Sequence, residues 1–289
     1  MRGRTPPKSQ SQQSQAAFTL LEFIVVILIL GIITTSVTSY VRLGAGMYVD
    51  STATQQILSQ SRFALERVVR EVRGAVPGSI RVLSNGDNSI SCVEFTPLAL
   101  SGLYRDLPLY PQTRDWIGVT TVTTGWPATA GYRVVVYPTD SRHVYDLNQR
   151  RSAVVAAVQN APSDADGNAN TERITLDLIG GVAPTFITES PQQRFFLAAQ
   201  PVSFCVIGQQ LRRYQNYGFQ VGQSLPPSLT QSELMATGLF NQSSEPAFVL
   251  NTAAFSRNAV LQIFWRFQPA TDLGQDLFFN HEVHIPNVP

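Results

Sequence analysis

The sequence predicts an α+β protein: one long N-terminal helix, apolar in its first half and amphipathic in its second, packed on a head rich in antiparallel β-sheet. Three observations carry this. The run from Phe18 to Val41, FTLLEFIVVILILGIITTSVTSYV, is almost wholly apolar. The stretch from Tyr48 to Arg73 lacks Pro and Gly and repeats its apolar residues at helical spacing. The remainder carries short period-two runs bounded by Gly, Pro, Asn and Asp, the pattern of strands and turns.

Residues Met1 to Ala17 are polar, with Arg2, Arg4 and Lys8 as their only charges. About 20 residues of helix cross the roughly 30 Å hydrocarbon core of a bilayer, so the segment 18–41 is long enough to span. Basic residues before the span place the N-terminus in the cytoplasm. A secretory signal peptide has its small-residue cleavage site after the apolar region. Here the small pair Ala16-Ala17 precedes that region, so the order excludes such a signal. A plain signal anchor fits the hydropathy but gives no reason for Glu22, the one charge in the span. A carboxylate at membrane depth costs on the order of 2.5–3.5 kcal/mol and usually marks function.

Helical patterning continues past the span. Ile57, Leu58, Ala64, Leu65, Val68, Val69 and Val72 form an amphipathic stripe. Arg62, Glu66 and Arg70 lie on the other side at i, i+4 spacing, as do Arg67 and Glu71, and all five read as a solvated face. Gly74 and then Pro77-Gly78 end the helix, and Gly44 and Gly46 are where it is expected to bend. The chain therefore divides into a leader (1–17), a transmembrane part of the helix (18–41), an amphipathic part (42–74) and a β-rich head (75–289).

Strands are expected around Ser89–Phe95, Tyr132–Tyr137, Arg173–Leu178 and Val202–Ile207. A C-terminal hairpin is expected from Val260–Phe267 and Leu277–Ile285 across Asp272-Leu273-Gly274. Residues 218–247, rich in Gln, Ser and Pro, read as a long surface excursion.

The chemistry-bearing residues are few. A net charge of +1 over 289 residues gives no reason to expect nucleic acid as a partner. No nucleophile–base arrangement and no phosphate-binding Gly loop stands out, so no catalytic residues are expected. Of the three histidines, His143, His281 and His284, the last two flank Glu282-Val283. That spacing is not the helical zinc motif, and in a strand the two side chains fall on opposite faces. Asp164, Asp166, Asn168 and Asn170 offer oxygen ligands at alternate positions, which suits calcium. The run departs from the EF-hand pattern, and a polar turn before the strand at Arg173 explains it equally well. The topology places Cys92 and Cys205 beyond the membrane in an oxidising compartment, where a disulfide between their strands is expected; two separately buried thiols are the alternative.

The run Ala17-Phe18-Thr19-Leu20-Leu21-Glu22, followed by Phe23-Ile24-Val25-Val26, resembles the type IV prepilin processing motif. The resemblance implies a pilin-like fold and cleavage by prepilin peptidase between Ala17 and Phe18. It implies methylation of the new N-terminus at Phe18. Ala17 stands where the family usually has Gly. It further implies an inner-membrane, single-pass protein with a periplasmic head, passed by the assembly platform into a pilus or pseudopilus. There its helix would pack with other major and minor pilins, and Glu22 would neutralise the N-terminal amine of a neighbour. Ser59–Val82 and His281–Pro289 resemble the MshO-type minor pilins of the mannose-sensitive haemagglutinin (MSHA) pilus system. The ALERVVREVR portion is similar, more distantly, to PilW-like minor pilins and to the J-type minor pseudopilins of type II secretion. The implied role is at the filament tip, in assembly or as an adhesive binding module.

Overall fold

The computed structural model describes residues 19–120, 131–159, 171–178, 180–226, 228–229, 231–251, 259–268 and 276–285. The chain divides into two units, one up to Thr52 and one from Ala53. Helix α1, Leu20–Arg73, contributes to both and stays helical through Gly44 and Gly46.

In the first unit every described residue up to Val49 is exposed. This part of α1 is long and apolar enough to cross a membrane. Its Ser and Thr hydroxyls from Thr34 to Ser39 bond back within the helix: Thr34 Oγ1 donates to Leu30 O (2.7 Å), Ser36 Oγ to Ile32 O (3.0 Å) and Thr38 Oγ1 to Thr34 O (2.7 Å). Such back-bonding lets Ser and Thr sit in hydrocarbon without an unpaired polar group.

The second unit holds the end of α1 and fourteen described strands. In chain order these are β1 (Arg81–Ser84), β2 (Ile90–Phe95), β3 (Leu98–Asp106), β4 (Trp116–Thr120) and β5 (Arg133–Val136). A short helix α2 (Arg142–Tyr145) is followed by β6 (Ser152–Gln159), β7 (Thr171–Leu176), β8 (Arg194–Ala198), β9 (Val202–Ile207) and β10 (Gln210–Tyr214). The last are β11 (Ser232–Thr237), β12 (Phe248–Asn251), β13 (Ala259–Phe267) and β14 (Leu277–Ile285). All pairings of these strands are antiparallel.

Two sheets share one core with the helix. A five-stranded sheet runs β1-β2-β9-β10-β11 and a three-stranded sheet runs β12-β13-β14. Ala64, Val68 and Val72 of α1 are fully buried against Phe95 and Phe204 of the first sheet and Trp265 of the second. The expected apolar stripe is thus the face that the helix buries.

Between β2 and β9, which are neighbours in the sheet, the chain leaves to build a separate body. Strands β3-β4-β7-β6-β5-β8 close into a six-stranded barrel with its own core, including Ile117, Val134, Ile174 and Leu197. Closure leaves the barrel without free edges. At Gly102 a Cβ would stand 2.8 Å from the Phe195 ring, so a bare backbone there is what lets that ring lie against β3.

The expected strands are present, and β13 pairs β14 as an antiparallel ladder; the turn at Asp272-Leu273-Gly274 lies outside the described residues. Two expectations are corrected. Residues 218–247 are not a surface excursion: they supply β11, and Leu229, Ala236 and Leu239 in them are buried. Their polar composition hides single apolar anchors. A strap carrying Tyr217, Leu225 and Leu229 also covers the second face of β2 and β9, which is why β2 is buried on both faces instead of alternating. The second correction concerns Glu71, described next.

Candidate functional site

The N-terminus of α1 is capped. Thr19 Oγ1 accepts a hydrogen bond from the Glu22 backbone N–H at 3.3 Å, and Thr19 O accepts from the same N–H at 3.1 Å. Thr19 and Glu22 therefore stand three residues apart, in the order of a capping box. The pattern Thr-x-x-Glu carries this signal in the sequence, beside the membrane-depth carboxylate that Glu22 also supplies. A carboxylate in the first turn also suits the positive end of the helix dipole. The Glu22 carboxylate meets no cation among the described residues. Ala17 and Phe18 lie outside the described residues, as do the calcium candidates Asp164, Asp166, Asn168 and Asn170.

In the second unit, the far end of α1 is clamped to the sheet. Glu71 pairs with Arg67 one turn earlier and with Arg213 of β10, whose Nε lies 3.1 Å from its Oε2. Arg213 is buried and Glu71 nearly so. Glu71 is therefore not part of a solvated face, because i, i+4 spacing cannot reveal a partner from a distant strand. Replacing Arg213 by Ala leaves Glu71 with only Arg67. It is expected to cost about 1.5–3 kcal/mol, the range for hydrogen bonds to charged groups, measured by urea unfolding of the chain in detergent.

Cys92 and Cys205 form a disulfide and are direct register partners on β2 and β9. Beside them lies a buried polar cluster. Glu94 pairs with Arg81 and accepts a hydrogen bond from the Tyr217 hydroxyl at 2.9 Å. Arg81 also donates to the carbonyls of Val221 (2.7 Å) and Gln220 (2.9 Å), which ties the strap to β1. Burial pushes the Glu94 carboxyl up, against the pull of Arg81 and Tyr217. The cluster joins elements, and its Arg81 also lines an open cavity of about 680 Å³ together with Gly78, Asp140 and Phe248.

The histidines are scattered. His143 in α2 accepts backbone N–H bonds at Nδ1 from Thr139 (3.1 Å) and Asp140 (3.2 Å). His281 is half-buried on β14 and His284 exposed on its other face, the alternation a strand imposes. Among the described residues no three His, Cys, Asp or Glu side chains gather as a metal site.

The described chain thus joins a capped helix, apolar enough in its first half to cross a membrane, to a head of antiparallel strands. Residues 12–38 match the family model of the prokaryotic N-terminal methylation motif. That motif marks type IV pilin- and pseudopilin-type substrates of prepilin peptidase, which are structural subunits that assemble with other pilins. No curated protein and no solved structure matches the chain.

Proposed function

We propose that this chain is a minor pilin of the MSHA type, cut by prepilin peptidase between Ala17 and Phe18, methylated at Phe18 and built into a type IV pilus near its tip. The observation that carries the reading is the methylation motif over residues 12–38, which takes in the start of an apolar helical run whose one charge before Arg42 is Glu22. The inner membrane would hold the helix, with the head in the periplasm until extraction by the assembly platform. Its partners would be other pilin-like subunits, and its work structural. Residues Ser59–Val82 favour the MSHA setting by resemblance. The ALERVVREVR segment favours, as a second reading, a minor pseudopilin of type II secretion.

The size of the head supports a minor role. A barrel inserted between β2 and β9 adds a body that every copy in a repeating shaft would have to accommodate. A filament end imposes no such repeat. The same barrel is the natural place for an adhesive function, should the head bind a surface.

Glu22 tests the assembly part. After cleavage the amine of Phe18 is a positive charge at a helix start. A neighbour's Glu22 carboxylate would neutralise it in the filament core, where either charge alone would be costly. Glu22→Ala is expected to insert and be cleaved normally but to fall at least tenfold in sheared filaments, by quantitative mass spectrometry. Normal incorporation would refute the pairing.

A further inference from the structure

We infer that the outer edge of β14 is a docking strand that receives an extended strand from the head of a different pilin-type subunit, continuing the β12-β13-β14 sheet across the subunit boundary. The inference rests on the assembly reading above and adds the surface and the mode of contact.

The edges of this head are not alike. The barrel has none. Strands β1 and β12 offer four residues each. β11 offers six, and its ladder with β10 is broken by a register shift between Leu211 and Arg212. β14 runs nine residues in unbroken register with β13, from Ala259↔Ile285 to Phe267↔Leu277. It contains no Pro, Lys or Arg, and its one carboxylate is Glu282. Short length, bulges, Pro and Lys are the devices that keep edges from pairing, and β14 has none of these four.

The backbone groups on that edge can be identified. Phe264 N–H donates to Ala247 O, and Arg266 O accepts from Phe240 N–H, so both residues of β13 turn their backbone groups away from β14. Their register partners are Asn280 and Phe278. In an antiparallel ladder these two then present N–H and C=O to the free edge. No backbone hydrogen bond reaches them there among the described residues. Phe278 is 68% exposed, and the side chains of Asn280, Glu282 and His284 are exposed on the same face.

Alongside lies an open groove of about 430 Å³, lined by Leu65, Glu66, Val69, Arg70 and Arg73 of α1 and by His281. A strand added about 4.8 Å beyond β14 would set alternate side chains over this groove. Leu65 and Val69 would take apolar ones, and Arg70 and Arg73, which outnumber Glu66, would favour a carboxylate at that end. An edge of backbone donors and acceptors recognises an extended chain. The methylation motif supplies such neighbours, because it marks a subunit that assembles with other pilins. On the minor-subunit reading above, the neighbour that supplies the strand is a different subunit.

The test uses the full chain in its own membranes, with the photoreactive residue p-benzoylphenylalanine at position 278 and, separately, at position 30 in the apolar half of α1. Irradiation followed by peptide mapping is expected to join position 278 to an extended segment in the head of another protein bearing the methylation motif. Asn280→Pro removes an outward N–H without touching the β13 ladder and is expected to cut that product at least tenfold, while Asn280→Ala, which keeps the N–H, leaves it. Products at position 30 but none at 278 would overturn the edge proposal and leave the assembly reading standing. Products at neither position would remove both. Capture of a second copy of this chain at 278, or equal loss with Pro and Ala, would also overturn it. The wild-type map decides even if the Pro variant fails to fold.

Discussion

Replacing Cys92 and Cys205 together by serine is expected to lower the unfolding free energy of the head by up to roughly 4.7 kcal/mol, the chain-entropy figure for a closed loop of about 100 residues. The two cysteines are 113 residues apart in sequence and opposite one another on β2 and β9. Everything between β2 and β9, including the whole barrel, lies inside the loop that they close. The disulfide therefore staples the root of the insertion, and without it the unfolded chain regains the freedom of that long loop. Both sulfurs are buried among Tyr214, Leu229 and their neighbours, so two serine hydroxyls there also need partners. Urea unfolding of the detergent-solubilised chain, followed by tryptophan fluorescence, measures the loss. A change below about 1 kcal/mol would mean that the β2–β9 ladder and the strap hold the neck closed unaided, even in the unfolded ensemble.

Trp265→Ala is expected to cost about 3–5 kcal/mol, the range for removing a buried tryptophan. Trp265 is fully buried in the core shared by both sheets and α1, with its ring edge-on to Phe248 at 6.1 Å. Its truncation empties the place where the three-stranded sheet meets the rest of the head. Trp265→Phe is expected to be far milder, since the indole N–H finds no hydrogen-bond partner among the described residues and its loss strands nothing. The same unfolding measurement separates the two. Equal costs would show that the indole nitrogen contributes through a partner.

The parts of this protein written in local sequence were legible. The apolar run and the stripe from Ile57 to Val72 give α1 because helix periodicity needs only neighbours three and four residues away. β13 and β14 alternate in exposure, with one face buried along most of β13 and half-buried to buried along β14. The disulfide was reachable because compartment and strand patterning both pointed to it. The barrel was not legible. β6 reads SAVVAAVQ and β4 reads WIGVT, without clean alternation, and closure depends on pairs such as β3 with β8 that are distant in sequence. The clamp on Glu71 failed for the same reason, since its partner Arg213 lies on β10. Leu229 and Leu239 were lost in a polar stretch because burial of single residues leaves no periodic trace. At the N-terminus the processing motif is plain, whereas the cap at Thr19 shows only as a Thr-x-x-Glu spacing at the edge of an apolar run.

Processing of this chain as a pilin-type subunit is tested by the mass of its mature N-terminus. The full-length gene product should be extracted from membranes of cells that contain prepilin peptidase, and its N-terminal peptide sequenced by mass spectrometry. The mature chain is expected to begin at N-methylated Phe18, with Met1–Ala17 absent. A chain that keeps Met1–Ala17, or that is cut after the apolar segment, would contradict it.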